Sequence, residues 1–122
     1  MPKVLIADDE PHIRLLLEQT LEDLEDEGLE ILVAENGAEA LEAIKENKPD
    51  MVFLDVMMPK MNGFEVCAEV KNNLKISGIY IVLLTAKGQE TDKLKGAKSG
   101  ADMYMTKPFN PDDIVKKVRE IL

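Results

Sequence analysis

MVFLDVMMPKMNG, residues 51–63, is the stretch whose reading decides the fold. Met51 to Leu54 is a short apolar run without a polar face of helical period, so it reads as a strand buried on both sides. One carboxylate, Asp55, ends the run. Met58-Pro59 then forbids the strand from continuing, and Asn62-Gly63 signals a turn. An acid placed where a central parallel strand stops lies in the crevice outside the strands' carboxyl ends, where open α/β sheets bind ligands. The remaining sequence is read for what else reaches that edge.

A chain of 122 residues with 45% hydrophobic and 32% charged residues has the composition of one soluble domain with a single core, residues 1–122. No run of 18 apolar residues is present to span a membrane, and the four-residue apolar run after Met1-Pro2-Lys3 is too short for a signal peptide. With a single cysteine as well, the expected location is the cytoplasm. Net charge is −9, unevenly spread: residues 1–55 hold 16 acidic against 4 basic residues, and residues 56–122 hold 8 against 11. That balance argues against direct nucleic-acid binding through phosphates. The asymmetry fits either two faces with different partners or a simple solvated charge pattern.

Five strand-like runs alternate with five helical segments. VLIA (4–7) ends at Asp8-Asp9-Glu10, and Pro11 opens a helix whose apolar positions are Ile13, Leu16, Leu17, Leu21 and Leu24. Gly28 closes it before ILVA (31–34). Asn36-Gly37 turns into a helix over 38–47 with Leu41 and Ile44 inward, followed by the 51–54 strand. A helix over about 64–72 puts Phe64, Cys67, Ala68 and Val70 inward, and IYIVLLTA (79–86) is the fourth strand, with Thr85 at its end. The polar, lysine-rich segment 88–99 reads as a helix with a thin apolar face. A short strand over 102–106 ends at Lys107-Pro108, and the last helix runs from Asn110-Pro111 to Leu122, burying Ile114, Val115, Val118, Ile121 and Leu122. Strict alternation predicts a doubly wound α/β fold: a five-stranded parallel sheet with right-handed crossovers and helices on both faces.

In such a sheet every carboxyl end points the same way, so Asp8-Asp9, Asp55, Thr85 and Lys107 arrive at one rim. Carboxylates about 5 Å apart at an effective dielectric of ~20 repel by roughly 3 kcal/mol per pair. Only a bound cation or Lys107 offsets that. An all-oxygen donor set with room for water and phosphate suits Mg²⁺, and no Cys/His cluster offers a site for a softer metal.

ADDEPH, LDVMMPKMNG, LLTA and TKPF, in this order and spacing, closely resemble the receiver (CheY-like) domain of two-component response regulators. The similarity covers essentially the whole chain. It implies strand order 2-1-3-4-5 and a phosphorylation-dependent switch in which Asp55 accepts a phosphoryl group from a sensor histidine kinase or phosphotransfer protein. Mg²⁺ would be held by Asp8 or Asp9, Asp55 and the backbone carbonyl of Met57, the other early Asp acting partly through water. Lys107 and Thr85 would engage phosphoryl oxygens, and Lys107-Pro108 would be a cis peptide. Thr85 and Tyr104 would form the switch pair, read out on segment 88–99, the fifth strand and the last helix by a downstream protein or output domain. Met57 and Lys87 would flank the path of attacking water, and Met57 would slow hydrolysis. The domain would be a monomer or a phosphorylation-dependent dimer, and not an enzyme beyond its own phosphorylation and dephosphorylation. The chain ends with its last helix, which fits a stand-alone receiver or one cut from a longer regulator. Two departures from the family pattern are a long first helix and Ile79 where a proline is common.

Two other chemistries fit less well. A haloacid-dehalogenase-type phosphatase also uses an Asp after a strand, but places a second Asp two residues later, where this chain has Met57. A flavin carrier of the same topology cradles phosphate in a Ser/Thr/Gly-rich first loop, where this chain has Asp-Asp-Glu-Pro. His12 reads as a surface residue, Cys67 as a buried inert thiol, and Met57, Met58, Met61, Met103 and Met105 as packing residues. The lysines at 87, 93, 95 and 98 fit a solvated helix face or a partner surface.

Overall fold

A computed structural model describes residues 2–86 and 100–122. The elements run β1 (Lys3–Ala7), α1 (Pro11–Thr20), α2 (Glu22–Asp26), β2 (Glu30–Ala34), α3 (Gly37–Asn47), β3 (Met51–Asp55), α4 (Gly63–Ala68), β4 (Tyr80–Ala86), β5 (Met103–Lys107) and α5 (Pro111–Ile121). All five strands are parallel in the order β2-β1-β3-β4-β5, as expected. The helix expected over 88–99 and the lysines at 87, 93, 95 and 98 lie outside the described residues.

The central strands carry apolar side chains on both faces because both faces are covered. Leu5, Ala7, Val52, Leu54, Ile81 and Leu83 pack with Ala40, Ile44, Val66, Cys67 and Val70 from α3, α4 and the turn after α4. The alternate residues Val4, Ile6, Met51, Phe53, Val82 and Leu84 pack with Leu17, Leu21 and Leu24 from α1, the α1–α2 junction and α2, and with Ile114 and Val118 of α5. Every residue of β3 is buried, so its terminal carboxylate emerges from the middle of the molecule.

Four details differ from the sequence reading. The first helical segment breaks at Leu21 instead of running to Gly28. Its Thr20 hydroxyl donates to the Leu16 carbonyl (2.7 Å), a local bond that competes with the helix ladder and bends helices. Leu16 is exposed: Leu17, Leu21 and Leu24 form the inward stripe, and Leu16 sits about a quarter-turn away from it. The helix expected over 64–72 ends at Ala68 and continues as one wider turn, Glu69–Asn73, closed by a five-residue bond from the Leu74 N–H to the Glu69 carbonyl (2.8 Å). Leu122 is exposed because it lies beyond the last turn of α5.

Side chains cap the helices that follow β2 and β3. Asn36 accepts from the Glu39 N–H, and Asn62 and Glu65 form a reciprocal capping box. Removing it should loosen the start of α4: Asn62→Ala should lower stability by about 1 kcal/mol in urea titration. An unchanged midpoint would show that the cap contributes nothing.

Candidate phosphoryl-acceptor site

At the carboxyl edge, β1 is followed by Asp8 and Asp9, β3 ends at Asp55, β4 carries Thr85 as its penultimate residue, and β5 ends at Lys107. Asp8, Asp55 and Thr85 are all buried, whereas Asp9 and Glu10 are exposed. The geometry centres on Lys107. Its Nζ lies 2.8 Å from Asp8 Oδ2, 3.3 Å from Asp55 Oδ1 and 3.8 Å from Glu10 Oε1. The other Asp8 oxygen accepts from the Glu10 N–H (2.9 Å), and the Met57 N–H approaches Asp55 Oδ1 at 3.4 Å. Thr85 sits one pair back from the end of the β4–β5 ladder, and its hydroxyl faces the Met105 carbonyl at 3.5 Å. The Lys107–Pro108 peptide is cis.

Carboxylate oxygens of Asp8, Asp9, Glu10 and Asp55 lie within 4.8 Å of one another. Burial, followed by the charge of Asp8, pushes the Asp55 carboxyl up to about 7, against the opposing pull of Lys107. Burial by itself would pull Lys107 down. Its hydrogen bond to Asp8 and the charges of Asp55 and Asp8 outweigh that and hold it above its ordinary value. Among the described residues, four carboxylates therefore gather around the Lys107 ammonium, more acidic groups than that one cation neutralises. Oxygen donors with that surplus fit a hard divalent cation such as Mg²⁺.

The loop after Asp55 is pressed against the sheet from two sides. A Cβ on Gly63 would lie 2.5 Å from the Asp55 carbonyl oxygen, and one on Gly37 would overlap the Met61 carbonyl. Glycine at both positions lets the starts of α3 and α4 close directly on this loop. Met57 is 63% exposed, so it is not the packing residue expected; it stands in solvent beside Asp55. Met58, Met61, Met103 and Met105 do pack against the cores. Tyr104 packs against the core that includes Leu83, its partner on β4. His12 is exposed and pairs with Glu10 at 3.2 Å, and Cys67 is buried.

Sequence reasoning missed two residues. Glu10, the third of three consecutive acids, joins the cluster, and Arg14 reaches back from α1 to the Asp8 carbonyl (2.7 Å). Only the acidic run gave a signal for the first; a lone arginine on a helix gives none.

A cavity of about 660 Å³ opens at the opposite, amino-terminal edge of the sheet. Its charged groups are occupied: Lys71 binds Asp102 (3.2 Å) and the Ile79 carbonyl (2.7 Å), and Asp50 accepts from the Lys3 N–H (2.8 Å). The reactive groups are at the acidic rim.

Residues 4–119 match the family model described as the response regulator receiver domain. The chain belongs to that family. As a receiver of that family it is a phosphorylation-dependent signalling domain. It is 42% identical over 120 residues to the alkaline phosphatase synthesis transcriptional regulatory protein PhoP of Bacillus subtilis, covering 98% of this chain and 48% of that protein. The receiver thus spans about half the length of the curated relatives it matches. Among solved structures, the chemotaxis protein CheY4 of Vibrio cholerae superposes with a TM-score of 0.86 at 34% identity, over 100% of this chain and 99% of that one. The response regulator TrrA of Thermotoga maritima, solved in complex with Mg²⁺-BeF, matches over 100% of both chains with a TM-score of 0.81 at 41% identity. Among the described residues no helix is long and apolar enough to cross a membrane.

Proposed function

We propose that residues 1–122 form a single receiver in which Asp55 is the phosphoryl acceptor. The observation carrying this reading is the Asp55 carboxylate, buried at the end of β3 and 3.3 Å from the Lys107 ammonium, which also holds Asp8. An Asp55 carboxylate oxygen attacks the phosphorus of a phosphohistidine, on a sensor kinase or phosphotransfer protein, or of a small acyl phosphate. The new O–P bond replaces the bond to the donor, which leaves with the electron pair, and an acyl phosphate remains on Asp55. Lys107 lies within reach of the incoming oxygens and supplies positive charge as they approach. Thr85 turns its hydroxyl from the Met105 carbonyl toward one of those oxygens.

Asp8, Asp9, Asp55 and the Met57 carbonyl would hold Mg²⁺, with Glu10 beside them. The ion would offset charge on the donor and acceptor oxygens. The Mg²⁺-BeF complex of TrrA supports that part of the reading.

A threonine hydroxyl donates one hydrogen bond, so giving it to the phosphoryl group releases the Met105 carbonyl. Tyr104, the residue before Met105, would repack in response. The change would then reach β5, α5 and the 88–99 segment, where a downstream protein or an output domain reads it. The domain catalyses only its own phosphorylation and dephosphorylation, acts in the cytoplasm and does not itself contact nucleic acid. It works as a monomer or a phosphorylation-dependent dimer.

Incubation with acetyl phosphate and Mg²⁺ should add the mass of one phosphoryl group, mapped by peptide mass spectrometry to Asp55. Amide signals over 103–107 and 111–121 should shift in the same sample. A label on His12 or on a serine would refute the assignment.

A further inference from the structure

We infer that Arg14 is a positioning residue that sets the metal-binding turn Asp8-Asp9-Glu10 before any ion arrives. The inference rests on the proposed Mg²⁺ role of that turn. Arg14 lies in α1, and its side chain is only 14% exposed. One guanidinium nitrogen, Nη1, donates to the Asp8 carbonyl oxygen at 2.7 Å. The other, Nη2, reaches Glu35 Oε1 just after β2, at 3.4 Å. The shorter bond is the more informative, because its acceptor is a backbone carbonyl in a region crowded with carboxylates.

That carbonyl belongs to the peptide plane joining Asp8 to Asp9. A peptide unit is rigid, so fixing its oxygen fixes the direction in which the chain leaves Asp8 and presents Asp9. The rest of Asp8 is held as well: its N–H bonds to the Ala34 carbonyl (3.2 Å), Oδ1 to the Glu10 N–H and Oδ2 to Lys107. Arg14 adds a bond to the Asp8 carbonyl oxygen, which none of these other contacts holds. Its planar fork spans the ends of β1 and β2, which a single-point donor such as lysine would do less well.

The sign of the electrostatics separates this role from a charge effect. A guanidinium close to a cation site repels the cation, so deleting its charge alone would tighten Mg²⁺ binding. Deleting a positioning contact weakens it, and contacts that orient metal ligands typically contribute 10–100-fold in affinity. A residue with only a structural role would change stability and leave affinity as it was.

The experiment titrates the full chain and its variants with Mg²⁺ alone, following the amide signals of Asp8, Asp9 and Glu10, alongside urea denaturation in the absence of metal. Arg14→Gln should bind Mg²⁺ about 10-fold more weakly, with the Asp9 and Glu10 signals already displaced in the metal-free protein. Arg14→Lys should recover part of the loss, and it keeps the inference testable if Arg14→Gln folds poorly. Glu35→Gln, which removes only the longer arm's charge, should change affinity less than Arg14→Gln. Unchanged or tighter binding in both Arg14 variants would overturn the positioning role. A wild-type chain that takes up no Mg²⁺ would instead refute the reading of the site on which the inference rests.

Discussion

Lys107→Ala should destabilise the Mg²⁺-free receiver by about 3 kcal/mol at neutral pH, the order expected when one partner of a buried ion pair is removed. Lys107 Nζ lies 2.8 Å from the Asp8 carboxylate and 3.3 Å from that of Asp55, and Asp8 has no exposed surface. Without Lys107 the two carboxylates keep their burial and mutual repulsion and lose the ammonium. The Asp55 carboxyl, already raised by burial and by the charge of Asp8, then loses the pull of Lys107 that opposes the rise and goes higher still, while its unfolded value stays in the ordinary carboxylate range. The penalty from Asp55 should therefore shrink as pH falls toward and below its ordinary value of 3.8, where that carboxyl becomes protonated in both states, and grow as pH rises. Mg²⁺ should restore more stability to Lys107→Ala than to the wild type, since the ion replaces the missing charge as well as binding by mass action. Urea titrations at pH 4.5 and 7.5, with and without Mg²⁺, test this. A variant as stable as the wild type at pH 7.5 without metal would mean that water already screens the cluster and that Lys107 is no structural counter-charge.

How far this site was legible depends on what kind of signal each residue carries. Asp55 was plain, because an acid that ends a wholly apolar run cannot be a core residue and must lie at an edge. Strand alternation then placed Asp8, Asp9, Thr85 and Lys107 on the same edge with no knowledge of distances. Strand order came from the motif resemblance and not from the alternation. Glu10 was half legible, since three consecutive acids mark a polar strand end without saying which of them turn inward. Arg14 was invisible: its shorter bond goes to a backbone carbonyl, and backbone acceptors leave no trace in a sequence. The helix details were missed for a related reason. The break at Leu21 follows a hydroxyl-to-carbonyl bond from Thr20, and threonine is common enough in helices to carry no warning. Met57 was misread as packing because hydrophobicity predicts burial only on average, and this residue sits on a loop facing solvent.

Asp55→Asn should abolish labelling by acetyl phosphate, because an amide oxygen is too weak a nucleophile to displace the leaving group. It should also make the metal-free protein more stable at pH 7.5. The second outcome follows from the shift of Asp55, from 3.8 to about 7, which says that the folded site favours a neutral group there. Burial dominates that shift, Asp8 adds to it, and Lys107 opposes it without cancelling it. Since the folded pKa lies above the unfolded one, the folded state holds the extra proton between about pH 4 and 7. Stability from this group is fully present below that window and is lost as pH rises through it. Asparagine, neutral throughout, has nothing to lose. At face value a shift of that size corresponds to roughly 4 kcal/mol; water reaching the open rim reduces the gain to about 1–2 kcal/mol. The difference between Asp55→Asn and wild type should shrink toward pH 4.5, where the wild-type carboxyl is itself largely neutral, and it should shrink again when Mg²⁺ is added at pH 7.5, because the ion stabilises the ionised wild type more than the amide. Urea midpoints for the two proteins at both pH values, with and without Mg²⁺, give the four comparisons. A wild type more stable than Asp55→Asn in metal-free buffer at pH 7.5 would show that Lys107 outweighs burial and Asp8 together, and that the rim is no longer a site strained by its own charge.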